Sequence, residues 1–185
     1  MVVAGRQNGA VTTCVVLVRG INVGGHNRLP MADLRAALDS SGARDIRTYL
    51  QSGNAVVTAP TSGLAARLES ELLLARGLEA RVIVRTAAEL RAVVASNPFT
   101  DREETPKQLH VAFFDGQPDA SLVEEVGTHH GSDELALGDR AIYLSYAGGS
   151  HDSPLNAALR RIGGVYTARN WATVTRLLAM ADKAS

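Results

Sequence analysis

The chain has 185 residues, of which 45% are hydrophobic and 21% charged, and its formal net charge is zero. This is the balance of a globular chain with a real core, in one domain of above-average size or two small ones. A dedicated nucleic-acid binder usually carries a basic excess, which this chain lacks, so nucleic acid is an unlikely partner unless a local patch supplies the charge.

One cysteine, Cys14, excludes a disulfide framework and a cysteine-built zinc site, and implies a reducing compartment. The first residues, MVVAGRQNGAV, lack the basic and apolar regions of a secretory signal. No apolar run approaches the length needed to span a bilayer. The expectation is a cytoplasmic protein with no membrane partner, whose residues 1–11 form a flexible extension.

Residues 13–18, TCVVLV, are continuously apolar and β-branched, which predicts a buried strand. Pro30 suits the first turn of a helix, and Met31, Leu34 and Leu38 share one face of it, ending near Ser41-Gly42. Strands are predicted over 44–50 and 54–58, joined by the tight-turn residues Gln51-Ser52-Gly53-Asn54. Leu64, Leu68, Leu72 and Ala75 line a second helix that stops at Gly77. ARVIV, residues 80–84, is a strand, and Thr86 with Glu89 forms a capping box for a third helix to Ala95. NPFTDREETP, residues 97–106, has two prolines and a charge cluster and is expected to be a linker.

The order then repeats. QLHVAFF (108–114) is a strand, Pro118 to Val126 a short helix, and 133–137 with 141–146 a hairpin around Gly138-Asp139. Ser153 and Pro154 open a helix with the stripe Leu155, Ala158, Leu159 and Ile162. Val165 to Ala168 is a short strand, and Asn170 caps a last helix with Trp171, Val174, Leu177 and Leu178 inward. The fold class is therefore α+β: two ferredoxin-like (βαββαβ) halves with trailing helices, an internal duplication. The boundaries are 12–96 for the first half, 97–106 for the linker and 107–185 for the second half.

In such a half, strands one and two are parallel, with strand three antiparallel between them. The loop after strand one, RGINVGGHN, then lies at the same end of the sheet as the QSGN hairpin. This gathers Arg19, Asn22, Gly24, Gly25, His26, Asn27, Arg28, Gln51, Ser52 and Asn54 on one rim, rich in hydrogen-bond donors and poor in negative charge.

These residues carry a resemblance. RGINVGG followed by a basic residue and PM, then TYLQSGNAVV, then TARNWATV, resemble in order the bacterial family called domain of unknown function 1697, over about residues 13 to 180. The resemblance implies an α+β fold with a duplicated ferredoxin-like arrangement, and it implies no reaction. Ser153-Pro154-Leu155 departs from a Ser-Lys-Leu-like stretch expected there, and Arg160-Arg161 from an acidic-basic pair. A ligand contact made by that lysine in relatives would be absent or replaced here.

Each candidate has a plainer competitor. Gly24-Gly25 could cradle an anion at the start of the following helix, but neither phosphate-loop pattern is present, and two glycines also serve a positive-φ turn. Arg19, Arg28 and Arg169 could grip phosphate or carboxylate bidentately; the alternative is surface ion pairing. Asn170 competes as a helix cap, and Trp171 as core rather than a stacking surface. His26 is the least implausible proton-transfer group, though no carboxylate partner is evident. No histidine pattern matches a metal site, Ser52 is not on a nucleophile elbow, and Cys14 reads as core filler. An RNA platform would need aromatics on its central strands, and TCVVLV and NAVVTA have none.

The reading is thus a binding site for a small anionic or polar metabolite, a nucleotide among the candidates, on the rim of the first half, with Arg169 and Asn170 reaching it from the second. No cofactor or metal is implied. Whether the protein is an enzyme stays open. The alternative is a non-catalytic protein-interaction or RNA-binding module.

Overall fold

The computed structural model describes residues 10–22, 27–105 and 107–184. They form a mixed fold with two antiparallel sheets and six α-helices. The chain divides into two compact units, one running to Ala87 and taking in the end of the chain from Met180, the other spanning Ala88–Ala179.

In the first unit, β1 (Val11–Arg19) pairs antiparallel with both β3 (Asn54–Pro60) and β4 (Arg81–Thr86), and β2 (Arg44–Tyr49) pairs with β3. The sheet order is β2-β3-β1-β4. Strand three therefore sits antiparallel between strands one and two, which is the arrangement the rim depends on. Cys14, Val16 and Val18 of β1 pack with Ala55, Val57 and Ala59 of β3 into one core. Leu34 and Leu38 from α1 (Met31–Ser40) join it, as do Leu64, Leu68 and Leu72 from α2 (Leu64–Arg76). Val15 and Leu17, the alternate residues of β1, are buried as well. A strand buried on both faces reads as an unbroken apolar run rather than an alternating one, as TCVVLV does.

In the second unit, β5 (Leu109–Phe114) is flanked by β8 (Ala141–Ser145) and β9 (Tyr166–Asn170). β7 (Asp133–Gly138) continues the sheet beyond β8, and β6 (His129–His130) adds two edge residues, giving the order β6-β7-β8-β5-β9. Val123 of α4 (Ala120–Val126) and Leu155, Ala158, Leu159 and Ile162 of α5 (Leu155–Ile162) pack on Ala112, Phe114, Ile142 and Leu144. α3 (Ala87–Ala95) is tied in by the Tyr143 hydroxyl, which donates to the Val93 carbonyl at 2.8 Å. Burial pushes that phenol up to about 12. α6 (Trp171–Asp182) ends the chain's regular structure.

Several local readings need correction. Ala75 is exposed, although it continues the α2 stripe, because the core under α2 ends at Leu72. β2 stops at Tyr49 because Leu50 turns to a left-handed φ of 55°. The helix expected from Pro118 starts at Ala120, where Asp119 accepts from the Ser121 and Leu122 amides as its N-cap. The last strand runs to Asn170 instead of Ala168. His129-His130, which fall in none of the predicted elements, form β6; two residues are too few for any periodic signal. The expected linker holds a 3-10 turn, Thr100–Arg102, beside a buried Asn97. Of the proposed N-terminal extension, residues 1–9 lie outside the described residues, and β1 already begins at Val11.

Candidate functional site

β1 delivers the chain to the rim at Arg19, and two left-handed residues then reverse it: Gly20 at φ 68° and Asn22 at φ 54°. Asn22 serves as a staple. Its Nδ2 donates to the Leu29 carbonyl (2.9 Å) and to the Gln51 carbonyl (2.6 Å), and its Oδ1 accepts from the Leu29 amide (2.9 Å). The Asn22 amide donates to the Asn27 carbonyl (3.1 Å), and Asn27 Nδ2 donates back to the Gly20 carbonyl (3.1 Å). Asparagine suits this work because its short amide bonds locally and tolerates the left-handed region, which Asn27 also occupies at φ 51°. Gly24, Gly25 and His26 lie outside the described residues.

The hairpin is held just as closely. The Val18 amide donates to the Gly53 carbonyl at 2.8 Å. Gly53 has φ 76°, and a Cβ there would lie 2.7 Å from Ile21 Cδ1 and 2.9 Å from Val18 Cβ, so only glycine fits. Asn54 is fully buried, and its Nδ2 donates to the Tyr49 carbonyl (3.1 Å) and to Ser52 Oγ (2.9 Å). Asn22 and Asn54 therefore position the rim, and the exposed residues Arg19, Asn27, Arg28, Gln51 and Ser52 present it.

The structure adds an arginine that the sequence reading missed. Arg19 is the direct cross-strand partner of Arg81 in the β1–β4 ladder. Residues so paired share a face, and like charges placed there repel. Arg81 is balanced in part by Glu69, 3.8 Å away. The signal was available: in an antiparallel ladder the start of β4 must meet the end of β1. Arg28 has no ion-pair partner among the described residues. The groove of about 520 Å³ beside Arg81, between α2 and β4, is lined by Glu69 and Glu79, so its chemistry does not suit an anion.

Arg169 and Asn170 belong to the second unit. Arg169 Nη1 donates to Thr167 Oγ1 (2.7 Å) and to the Ala168 carbonyl (2.8 Å), and burial pushes its guanidinium down to about 10, still charged at neutral pH. Asn170 Oδ1 accepts from the Thr173 amide at 2.9 Å, as a cap does, and Trp171 is buried. His110 stacks edge-on against Tyr146, and its Nδ1 is buried without a hydrogen-bond partner among the described residues. Burial lowers its pKa. Cys14 is fully buried. Among the described residues no cluster of three histidine, cysteine or acidic side chains could hold a metal ion, and no helix is long and apolar enough to cross a membrane.

No curated protein matches the chain. Among solved structures, a conserved bacterial protein from Streptococcus pneumoniae has 21% sequence identity and a TM-score of 0.75, covering 94% of this chain and 99% of its own length. At that identity the likeness concerns the fold. Residues 11–143, a stretch that includes both rim loops, match the family described as "Protein of unknown function (DUF1697)", and the chain belongs to that family.

Proposed function

We propose that the protein binds a small anionic or polar metabolite at the rim formed by the β1–α1 loop and the β2–β3 hairpin. The observation that carries this reading is the cross-strand pair Arg19 and Arg81, set beside two loops that Asn22 staples together. Two cations on one face of a ladder gain when an anion lies between them. Arg28, Asn27, Gln51 and Ser52 supply further donors, with Gly24, Gly25 and His26 of the same loop as the remaining members. Asn22 and Asn54 act on the ligand only by positioning their neighbours. Arg169 and Asn170 keep structural duties within the second unit.

We infer that both units are copies of one ferredoxin-like arrangement. Its support is that β2-β3-β1-β4 recurs in the second unit as β7-β8-β5-β9, with all pairs antiparallel and β6 added at the edge. The ligand-bearing loops of the first copy then follow its first strand and join its second and third.

Thermal unfolding against nucleotides, sugar phosphates and carboxylates tests the site. A ligand at about 100 times its dissociation constant adds roughly 2.7 kcal/mol, which raises the midpoint visibly. The shift should vanish in Arg19→Ala and in Arg81→Ala. A shift that persists in both variants removes the site assignment.

A further inference from the structure

We propose that the groove between α2 and the start of β4 receives a short extended segment of a partner protein, with a basic residue beside an apolar one. The groove holds about 520 Å³ and is lined by Ala66, Glu69 and Leu73 of α2 and by Glu79, Ala80 and Arg81 at the start of β4. All of these residues belong to the first unit.

The strand beside the groove has an open edge. β4 pairs with β1 and is the last strand of its sheet. An edge strand presents amides and carbonyls on which another chain can add. Here the Val82 amide donates to Glu69 Oε1 of α2 at 2.8 Å. A carboxylate oxygen therefore stands where an added strand would bring a carbonyl. Glu69 is loosely held in that place: among the described residues its other contact is Arg81, 3.8 Å away and more than half exposed. Farther along, Arg85 is buried and its Nη1 donates to the Val84 carbonyl at 2.8 Å, which confines the open stretch to the first residues of β4.

The walls define the guest. Leu73 is 48% exposed and lines the groove with Ala66 and Ala80, a floor for one apolar side chain. Glu69 and Glu79 outnumber Arg81, so the walls favour a cation. When a carbonyl of the guest takes over the Val82 amide, Glu69 is released to pair with the guest's basic side chain. A second copy of this chain would bring the same negative excess to a two-fold contact, and like charges would meet. Main-chain bonds to a strand edge, with side-chain pockets beside it, are a general mode of peptide recognition.

A labelled peptide of alternating lysine and valine is the probe, and the same peptide with glutamate for lysine is the control. Fluorescence anisotropy with the full chain should show the lysine peptide bound about tenfold more tightly than the control. Leu73→Ser should weaken its binding about tenfold, through loss of the apolar floor, and Glu79→Gln about threefold. Both side chains are exposed, so both variants should unfold close to the wild-type midpoint. Slower hydrogen exchange at the Val82 amide should accompany binding. No binding of the lysine peptide, equal binding of the two peptides, or binding that ignores both substitutions overturns the proposal. Binding without any change at the Val82 amide overturns the strand addition. A mass that doubles with protein concentration, and falls back in Leu73→Ser, overturns the partner in favour of a second copy. Neither Leu73 nor Glu79 belongs to the rim, so each of these failures leaves the anion site standing.

Discussion

The Asn22 side-chain amide and the Gln51 backbone carbonyl, 2.6 Å apart, join two loops that are separated in sequence by the whole of α1 and β2. The same amide group also closes its own loop onto Leu29. One residue therefore sets the spacing between the arginine-bearing loop and the hairpin.

Replacing Asn22 tests that role. Asn22→Ala loses these hydrogen bonds and places alanine at a left-handed φ, so it should cost about 2–4 kcal/mol. Asn22→Gly removes only the side-chain bonds and should cost less by about 1 kcal/mol. Urea unfolding gives both values, and equal costs would show that the backbone conformation contributes nothing. Faster hydrogen exchange at the Leu29 amide, which donates to Asn22 Oδ1, should accompany both changes.

Gly53 sits where the two loops touch. Gly53→Ala puts a Cβ into Ile21 and Val18 at a φ that alanine resists, so a loss of about 2–4 kcal/mol is expected. Gly42→Ala is the control: its φ is 90°, but nothing lies within 4 Å of the added Cβ. It should show the backbone cost without the clash, and a Gly53 variant no worse than the Gly42 variant would remove the close-packing argument.

His110 should make stability depend on pH. Burial lowers its folded pKa below the ordinary 6.5, and Nδ1 has no described partner that would stabilise a charged ring. The unfolded chain therefore binds the proton more readily, and the stability that the neutral ring contributes is intact above pH 6.5. It is lost progressively as pH falls from 6.5 toward the depressed folded value. His110→Gln should flatten this part of the profile in denaturant titrations between pH 7.5 and 5. An unchanged slope would assign the acid sensitivity elsewhere.

Tyr143 bonds β8 to α3 through its buried hydroxyl. Tyr143→Phe leaves the Val93 carbonyl without that donor and should cost about 1–3 kcal/mol. The loss should appear as a lower urea midpoint with an unchanged slope, since the substitution leaves the surface exposed on unfolding almost the same. A variant as stable as the wild type would mean that water replaces the phenol.

Much of the fold was legible in the chain. The unbroken apolar run of β1, the Leu34–Leu38 and Leu64–Leu68–Leu72 spacings and the glycine stop at Gly77 each encode a local preference strong enough to read alone. The meeting of the two rim loops was also legible, because strand order dictates which connections share an end of the sheet. Ala75 misled because helical periodicity marks a stripe and does not say where the core beneath it ends. β6 escaped because two residues have no period.

What the sequence determined by itself was most of the elements, their order and most of the residue types brought to the rim. Those follow from the periodicity of apolar residues and from turn chemistry, both of which act over a few residues. Only the tertiary structure decided which asparagines are committed to the scaffold, that Arg81 stands across from Arg19, and that Leu50 is exposed in a left-handed turn. Those depend on ladder register and on hydrogen bonds between loops distant in sequence, where a shift of one residue would turn each side chain to the opposite face.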